Sequence, residues 1–181
     1  MFQFIQMTAN YNFPRYTYSG YVNWKEDWEL VAGYPLQLLP SSIKKSKTKG
    51  KLAAQAGISL QNNKGNYNCE VLLSLDWKIS EDTIVRPDIM VICGEPTEDY
   101  LNFPPVLIIE ILSPNIIKTN SVLKFDLYRE NGVKYYIMVD CQRDNVEVYE
   151  LIDNYYKQVD KQNFKISNDC TIDFDFVNLW L

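Results

Sequence analysis

Residues 106–140, VLIIEILSPNIIKTNSVLKFDLYRENGVKYYIMVD, decide the fold of this chain. Residues 106–112 form an aliphatic run that suits a strand with both faces covered. Residues 116–131 have the apolar spacing of a helix, and residues 133–140 predict a second strand. A helix between two strands makes a βαβ unit, in which the strands are parallel and the crossover is right-handed by strong default.

Glu110 is the single charged residue in the aliphatic run. An ionised carboxylate in an apolar layer is costly unless a cation or hydrogen-bond donors compensate it. We therefore predict that Glu110 binds a divalent metal ion and that Asp88 shares this ion. Residues 86–93, RPDIMVIC, predict the neighbouring strand, so the two carboxylates could meet. With the carbonyl of Ile111 and waters they would form a hard oxygen site suited to Mg²⁺ or Mn²⁺.

The helix that follows the aliphatic run carries Lys124, whose ammonium could point back toward the same carboxylates. Asn120, Lys124 and Tyr128 lie at i, i+4 and i+8 and therefore share one stripe of this helix. Carboxylates, a metal ion and a lysine are suited to phosphodiester hydrolysis, because the metal activates water and the lysine offsets growing charge. Tyr128 is more simply explained as a core residue with a polar tip.

Length and composition limit the classes of function. The chain of 181 residues predicts a single domain, residues 1–181, with residues 1–20 as an irregular N-terminal arm. The absence of histidine excludes Ser-His-Asp triads, Cys-His dyads and His-based metal sites. A net charge of -5 argues against nucleic-acid binding through general positive charge, so such an enzyme needs a local basic patch or metal ions.

The four cysteines, Cys69, Cys93, Cys141 and Cys170, contain no CxxC pair. We expect Cys69 and Cys93 to be free thiols that pack in strands as small hydrophobic side chains. Free thiols favour a reducing cytoplasm. No segment approaches the run of about 18 apolar residues that a membrane helix needs, so we predict a cytoplasmic protein without a membrane partner.

The only basic cluster is at residues 41–51, SSIKKSKTKGK, which hold five lysines and no acidic residue. This stretch is either a solvated, mobile loop or a contact for phosphate groups, which the acidic remainder of the chain would need. Residues 51–60 predict a helix.

Five further strands are predicted, at residues 28–33, 35–40, 70–79, 146–152 and 155–159. The strand at residues 70–79 rests on a period of two held over five apolar positions. Residues 84–93 predict an irregular or edge strand, because Pro87 cannot donate a ladder hydrogen bond. The tail, residues 171–181, ends with apolar residues that should dock on the body.

Several motifs occur together in a fixed order: RPD at residues 86–88, EILSP at residues 110–114, the helix with Lys124 and Tyr128, and GVKYYIMVD at residues 132–140. This set resembles the Uma-type restriction endonucleases of the PD-(D/E)XK nuclease superfamily. The resemblance implies an α/β fold, a restriction-endonuclease-like mixed β-sheet flanked by helices.

The same resemblance implies the roles of individual residues. It makes Asp88 and Glu110 the metal ligands, places the catalytic lysine at Lys124 in the following helix, and makes Glu29, in WELVAG, an auxiliary acidic residue. It also implies a metal-dependent endonuclease that hydrolyses phosphodiester bonds in DNA. A homodimer is expected, because two sites cut both strands more easily than one.

Two departures from the family pattern leave alternatives open. Asn120 stands where relatives commonly carry an aspartate, and no histidine follows the N-terminal strands. These departures favour a catalytically impaired nuclease-fold protein that binds nucleic acid or a protein partner. A third hypothesis is a structural module, which predicts that the carboxylates of Asp88 and Glu110 point apart.

Overall fold

The computed structural model describes residues 14–63, 68–112 and 118–180, without the side chains of residues 118–121. Most of the predicted arm therefore lies outside the described residues. A short helix, α1 (Tyr18–Tyr21), begins at the end of the arm. Among the described residues, no helix has the length and apolar character needed to cross a membrane.

The larger sheet of the described residues has six strands: β3 (Cys69–Leu73), β6 (Ile89–Cys93), β7 (Leu107–Leu112), β8 (Tyr135–Asp140), β9 (Asn145–Ile152) and β10 (Tyr155–Gln158). Their order in the sheet is β10-β9-β8-β7-β6-β3. The β7 and β8 strands pair in parallel, and every other neighbouring pair of this sheet is antiparallel. The architecture is thus the mixed α/β sheet that was predicted.

The second sheet has four strands, in the order β2-β1-β5-β4, and is antiparallel throughout. Its strands are β1 (Trp28–Val31), β2 (Tyr34–Gln37), β4 (Trp77–Ser80) and β5 (Thr83–Val85). The turn between β1 and β2 lies at Ala32 and Gly33, both with positive φ.

Helices cover both faces of the six-stranded sheet. The long helix α2 (Ile43–Asn62) contributes Leu52, Ala56 and Leu60 to the core on one face. On the opposite face, helix α3 (Lys118–Glu130) buries Tyr128. The C-terminal hairpin of β11 (Asn163–Lys165) and β12 (Thr171–Asp173) packs on the α2 side.

The central βαβ unit of β7, α3 and β8 is confirmed. Residues alternate along β7, so that Leu107, Ile109 and Ile111 pack on the α2 side while Ile108 packs on the α3 side. Glu110 shares its face with Ile108 and therefore points toward α3. The predicted start of the helix at residue 116 lies outside the described residues.

The prediction of one strand at residues 70–79 is wrong. The stretch divides into β3 and β4, which belong to different sheets, and Ser74 between them has a φ of 50°. Leu73, one of the five apolar positions of this period, is half exposed. The alternation of apolar residues thus continues through the point at which the chain passes from one sheet to the other, so it did not reveal the break.

Residues 84–93 also divide between the two sheets. Strand β5 ends at Val85, and β6 begins at Ile89. The irregularity expected at Pro87 is confirmed. Neither strand is at an edge, however, because β5 lies between β1 and β4 and β6 lies between β3 and β7.

The basic cluster at residues 41–51 is not a loop. Ser42 caps the N-terminus of α2 by accepting a hydrogen bond from the backbone N–H of Lys45, and the helix runs on without a break. Lysine has good helix propensity, so the basic composition is compatible with this conformation. The helix predicted at residues 51–60 is the second half of α2.

The expectation of free thiols at Cys69 and Cys93 is wrong. The two residues are directly opposite each other on β3 and β6 and form a disulfide. Cys141 and Cys170 are free and buried. The cytoplasmic location inferred from these cysteines stays a prediction, and the disulfide weakens its basis.

The last two predictions for the C-terminal third are confirmed. Strands β9 and β10 form a hairpin whose turn residues, Asp153 and Asn154, both have positive φ. Phe174 and Leu179 of the tail are buried in the core on the α2 side.

Candidate functional site

The chain crosses from the four-stranded to the six-stranded sheet at residues 86–88, and this crossing organises the site. The backbone N–H of Arg86 donates a 2.7 Å hydrogen bond to Oε1 of Glu29 on β1. Two residues later, Oδ2 of Asp88 accepts a 2.9 Å hydrogen bond from the backbone N–H of Ile111 on β7. The crossing therefore connects an acidic residue of one sheet to the central strand of the other.

Strand register brings Asp88 next to Glu110. Ile89 on β6 pairs with Ile109 on β7, so Asp88 lies one step beyond this pair, at the level of Glu110. A strand residue directs its N–H and its C=O to the same side of the strand. The carbonyl of Ile111 therefore faces the side from which Asp88 reaches its N–H. The register thus places the two residues side by side. The structural-module hypothesis, in which the carboxylates point apart, stays an alternative prediction.

Glu110 is buried, with 8% of its surface exposed. Its Oε1 accepts hydrogen bonds from Nζ of Lys124 at 2.8 Å and from the hydroxyl of Tyr128 at 2.7 Å. Burial raises the pKa of Glu110; the ammonium of Lys124 opposes this shift, and the carboxylates of Asp88 and Glu29 add to it. The predicted stripe of α3 is thus confirmed for Lys124 and Tyr128.

Lys124 joins the two sheets. Its Nζ lies 2.7 Å from Oε1 of Glu29 and 2.8 Å from Oε1 of Glu110. Burial by itself lowers the pKa of Lys124, but the two carboxylates outweigh burial and hold the pKa above its usual range. The side chain therefore stays charged at neutral pH. Glu29, at 2% exposure, is the most buried acidic residue of the site.

Asp88 binds the ammonium groups of two lysines that were not predicted to contact it. Nζ of Lys45 lies 2.8 Å from Oδ2 of Asp88, and Nζ of Lys49 lies 2.7 Å from Oδ1. Burial by itself raises the pKa of Asp88, but these ammonium groups and the N–H of Ile111 outweigh burial and lower it. A signal was present in the sequence, because lysines at i and i+4 behind a Ser cap predict one helical face.

Tyr128 is a core residue with a polar tip, as predicted. Its ring is fully buried and stacks on Trp77 with centroids 6.0 Å apart, while its hydroxyl binds Glu110. Burial raises the pKa of Tyr128 well above its usual value, and the charge of Glu110 raises it further. Tyr128 is therefore a hydrogen-bond donor at neutral pH. The side chain of Asn120 lies outside the described residues.

The groups predicted to hold a metal ion, namely the carboxylates of Asp88 and Glu110 and the carbonyl of Ile111, are all oxygen donors. Oxygen ligands of this kind, completed by water, are what Mg²⁺ and Mn²⁺ prefer. Within the described ranges, no three side chains of His, Cys, Asp or Glu converge to hold a metal ion. The carbonyl of Ile111 and solvent are thus needed to complete such a site.

The family model named Uma2, "Putative restriction endonuclease", matches residues 13–171. Among solved structures, similar folds include the crystal structure of "a putative nuclease belonging to DUF820" from Anabaena variabilis ATCC 29413, with a TM-score of 0.72 and 17% sequence identity. The match covers 91% of this chain and 97% of that one. No curated protein matches the sequence. Since the family match extends over most of the chain, this protein belongs to the Uma2 family.

Proposed function

We propose that this chain is a Mg²⁺- or Mn²⁺-dependent endonuclease that hydrolyses phosphodiester bonds in DNA. Membership of a family described as restriction endonucleases supports a nuclease. The observation that carries the finer proposal is that Lys124 binds both Glu29 and Glu110. Asp88 lies beside Glu110 in strand register and accepts a hydrogen bond from the N–H of Ile111. The three acids lie far apart in sequence, so only the fold brings them near one another.

In this proposal Asp88, Glu110 and the carbonyl of Ile111 hold the metal ion. The bound ion supplies positive charge that polarises the phosphate and lowers the pKa of a water nucleophile. Tyr128 supports the site by donating its hydroxyl to Glu110, which orients the carboxylate.

Lys124 is assigned the role of offsetting the negative charge that grows on the phosphate during the reaction. Its raised pKa supports this role, because the ammonium keeps its charge at neutral pH. Glu29 is a positioning residue: it binds Lys124 and is itself fixed by the N–H of Arg86.

We further propose that the active form is a homodimer in which each chain cuts one strand of the duplex. The chain carries a net charge of -5, so DNA binding should depend on the metal and on local lysines and should weaken as salt rises.

Plasmid cleavage with Mg²⁺ or Mn²⁺ tests the proposal. Asp88→Asn and Glu110→Gln keep the shape of the side chain and remove its charge, and we expect each to lower cleavage by about 100-fold or more. Glu98→Gln is the matched control, because Glu98 is exposed on the loop after β6. Chelation with EDTA should abolish cleavage by the wild type.

Two results would contradict the proposal. Equal nicking by all four proteins would identify a contaminating nuclease and reject the assigned residues. No cleavage by the wild type with either cation would reject the activity. It would favour the alternative of a nuclease-fold protein that only binds nucleic acid or a protein partner. One observation favours this alternative: every carboxylate of the site already has a lysine partner.

A further inference from the structure

Two lysines of α2 close the site at Asp88. Lys45 and Lys49 are one helical turn apart and bind different oxygens of the same carboxylate. The side chain of Asp88 is 7% exposed, whereas those of Lys45 and Lys49 are 16% and 21% exposed. Both lysine side chains are thus more exposed to solvent than the side chain of Asp88.

The charges of the site balance without any metal ion. Glu29, Asp88 and Glu110 contribute three negative charges, and Lys45, Lys49 and Lys124 contribute three positive charges. A divalent cation at Asp88 would meet two ammonium groups on the oxygens that it needs. Like charges at this distance repel strongly in a partly buried site, so the cation and the two lysines compete for Asp88.

The surface around the two lysines favours phosphate groups. The first turns of α2 carry five lysines and no acidic residue, so the rest of the chain has a net charge of -10, from -5 minus +5. Each lysine has a flexible stem of four carbons on a helix that is held by buried Thr48 and Leu52. The ammonium groups can therefore move to a new partner while the helix stays in place.

We propose that Lys45 and Lys49 are exchangeable counter-ions. They bind Asp88 when the site holds neither cation nor nucleic acid, and they bind phosphate groups of the nucleic-acid strand when a divalent cation occupies Asp88. This inference rests on the proposed function, since it assigns the substrate contacts of the same site. Asp88 acts here as an internal substitute for phosphate.

The exchange makes cation binding and nucleic-acid binding cooperative. A cation at Asp88 releases two ammonium groups to the phosphates, and phosphates that bind the lysines free Asp88 for the cation. By linkage each ligand must strengthen the other by the same factor. A direct attraction between metal and phosphate would also give cooperativity, so the test must measure the contribution of the lysines themselves.

The first measurement is Mn²⁺ affinity by isothermal titration calorimetry without nucleic acid. Lys45→Gln/Lys49→Gln removes the competing charges, and we expect Mn²⁺ to bind the full chain about tenfold more tightly than it binds the wild type. Lys47→Gln is the matched control. Lys47 is exposed on the same helix and is not among the described cations that bind Asp88, so its removal should change the affinity less than about twofold.

The second measurement is binding of a fluorescent DNA duplex in Ca²⁺ and in EDTA. Ca²⁺ takes oxygen ligands as Mg²⁺ does, with looser geometry. The double variant should bind the duplex more weakly in Ca²⁺, and its plot of log K against log salt should be shallower by about 1.8, or 0.9 per lost contact. The factor by which Ca²⁺ increases the affinity for the duplex, relative to EDTA, should also be smaller in the double variant than in the wild type.

The inference is overturned if the double variant binds Mn²⁺ no more tightly than the wild type does, or if Lys47→Gln weakens DNA binding as much as the double variant. Should the double variant lose the circular dichroism spectrum of the wild type, the single variant Lys45→Gln replaces it. Lys49 still binds Asp88 in that variant. We therefore expect about half of the change in the logarithm of the Mn²⁺ affinity and about half of the change in the salt slope. An unchanged single variant would overturn the inference equally.

The outcomes separate this inference from the proposed catalysis. If the titrations behave as expected but no cation supports cleavage, the exchange stands and the nuclease activity is rejected. If the wild type cleaves DNA in a manner that depends on Asp88 and Glu110 while the titrations show no effect of the lysines, the activity stands and the exchange is rejected.

Discussion

Lys124→Met is expected to destabilise the protein severely, in a way that depends on pH. The ammonium of Lys124 binds two buried carboxylates, Glu29 and Glu110, at 2.7 and 2.8 Å. A hydrogen bond to a charged group contributes about 1.5–3 kcal/mol. Removal of one partner from a buried ion pair costs about 3–5 kcal/mol. We therefore expect the free energy of unfolding at pH 7.5 to fall by about 4 kcal/mol, a large part of the roughly 5–15 kcal/mol that is typical of a folded domain.

The sign of the pH dependence follows from proton counting. Burial already raises the pKa of Glu110, and removal of Lys124 raises it further. Between the unfolded and folded pKa values, the folded variant holds a proton that the unfolded chain has lost, so its stability falls as pH rises. Below both values the carboxyl is protonated in both states, and its share of the destabilisation disappears. The loss relative to the wild type should be smaller at pH 5 than at pH 7.5.

Urea unfolding followed by circular dichroism at both pH values measures this effect. Lys157→Met is the matched control. Lys157 forms a long ion pair of 3.8 Å with Asp153, and both side chains are exposed. Pairs of this kind contribute little, so the control should change stability by less than about 0.5 kcal/mol. A loss below about 1 kcal/mol for Lys124→Met, or a loss that grows toward pH 5, would refute the electrostatic account.

Three further predictions concern stability. Tyr128→Phe keeps the buried ring but removes the donor to Glu110, and urea unfolding at pH 7.5 should show a loss of about 1–3 kcal/mol; an unchanged midpoint would show that the hydroxyl is dispensable. Reduction of the Cys69–Cys93 disulfide, which closes a sequence separation of 24 residues, should lower the free energy of unfolding by about 3 kcal/mol; equal urea curves with and without dithiothreitol would contradict this. Asn154→Ala keeps a β-carbon at a φ of 65° but removes the polar side chain that favours this conformation, and should cost about 1 kcal/mol, whereas Asn154→Gly should not. Equal thermal midpoints for the two variants would count against the turn assignment.

The central βαβ unit could be predicted because its signals are local. The aliphatic run of β7 and the helical spacing of α3 are each read within a dozen residues, and chirality rules then give the parallel pairing with β8. Glu110 could be singled out for the same reason, since a charge inside such a run needs a partner. Lys124 and Tyr128, which lie on the predicted stripe, are in fact its partners.

The features that the sequence did not predict depend on contacts between residues that are distant in sequence. The period of two at residues 70–79 is real, but Asp76 binds the guanidinium of Arg86 and the hydroxyl of Tyr21, and this helps to place β4 in the other sheet. The partners of Asp88 on α2 are 43 and 39 positions away, from 88 minus 45 and 88 minus 49. No pattern in a short window contains such pairings.

The crossing at residues 86–88 has a mechanical consequence. One tripeptide offers an amide to Glu29 in the four-stranded sheet and a carboxylate to Ile111 in the six-stranded sheet, with a rigid proline between them. The spacing of these two anchors sets the alignment of both halves of the protein. A single residue inserted beside Pro87 would leave each sheet intact and yet misalign Glu29 and Asp88. The protein would then still fold but would lack the site between its two sheets.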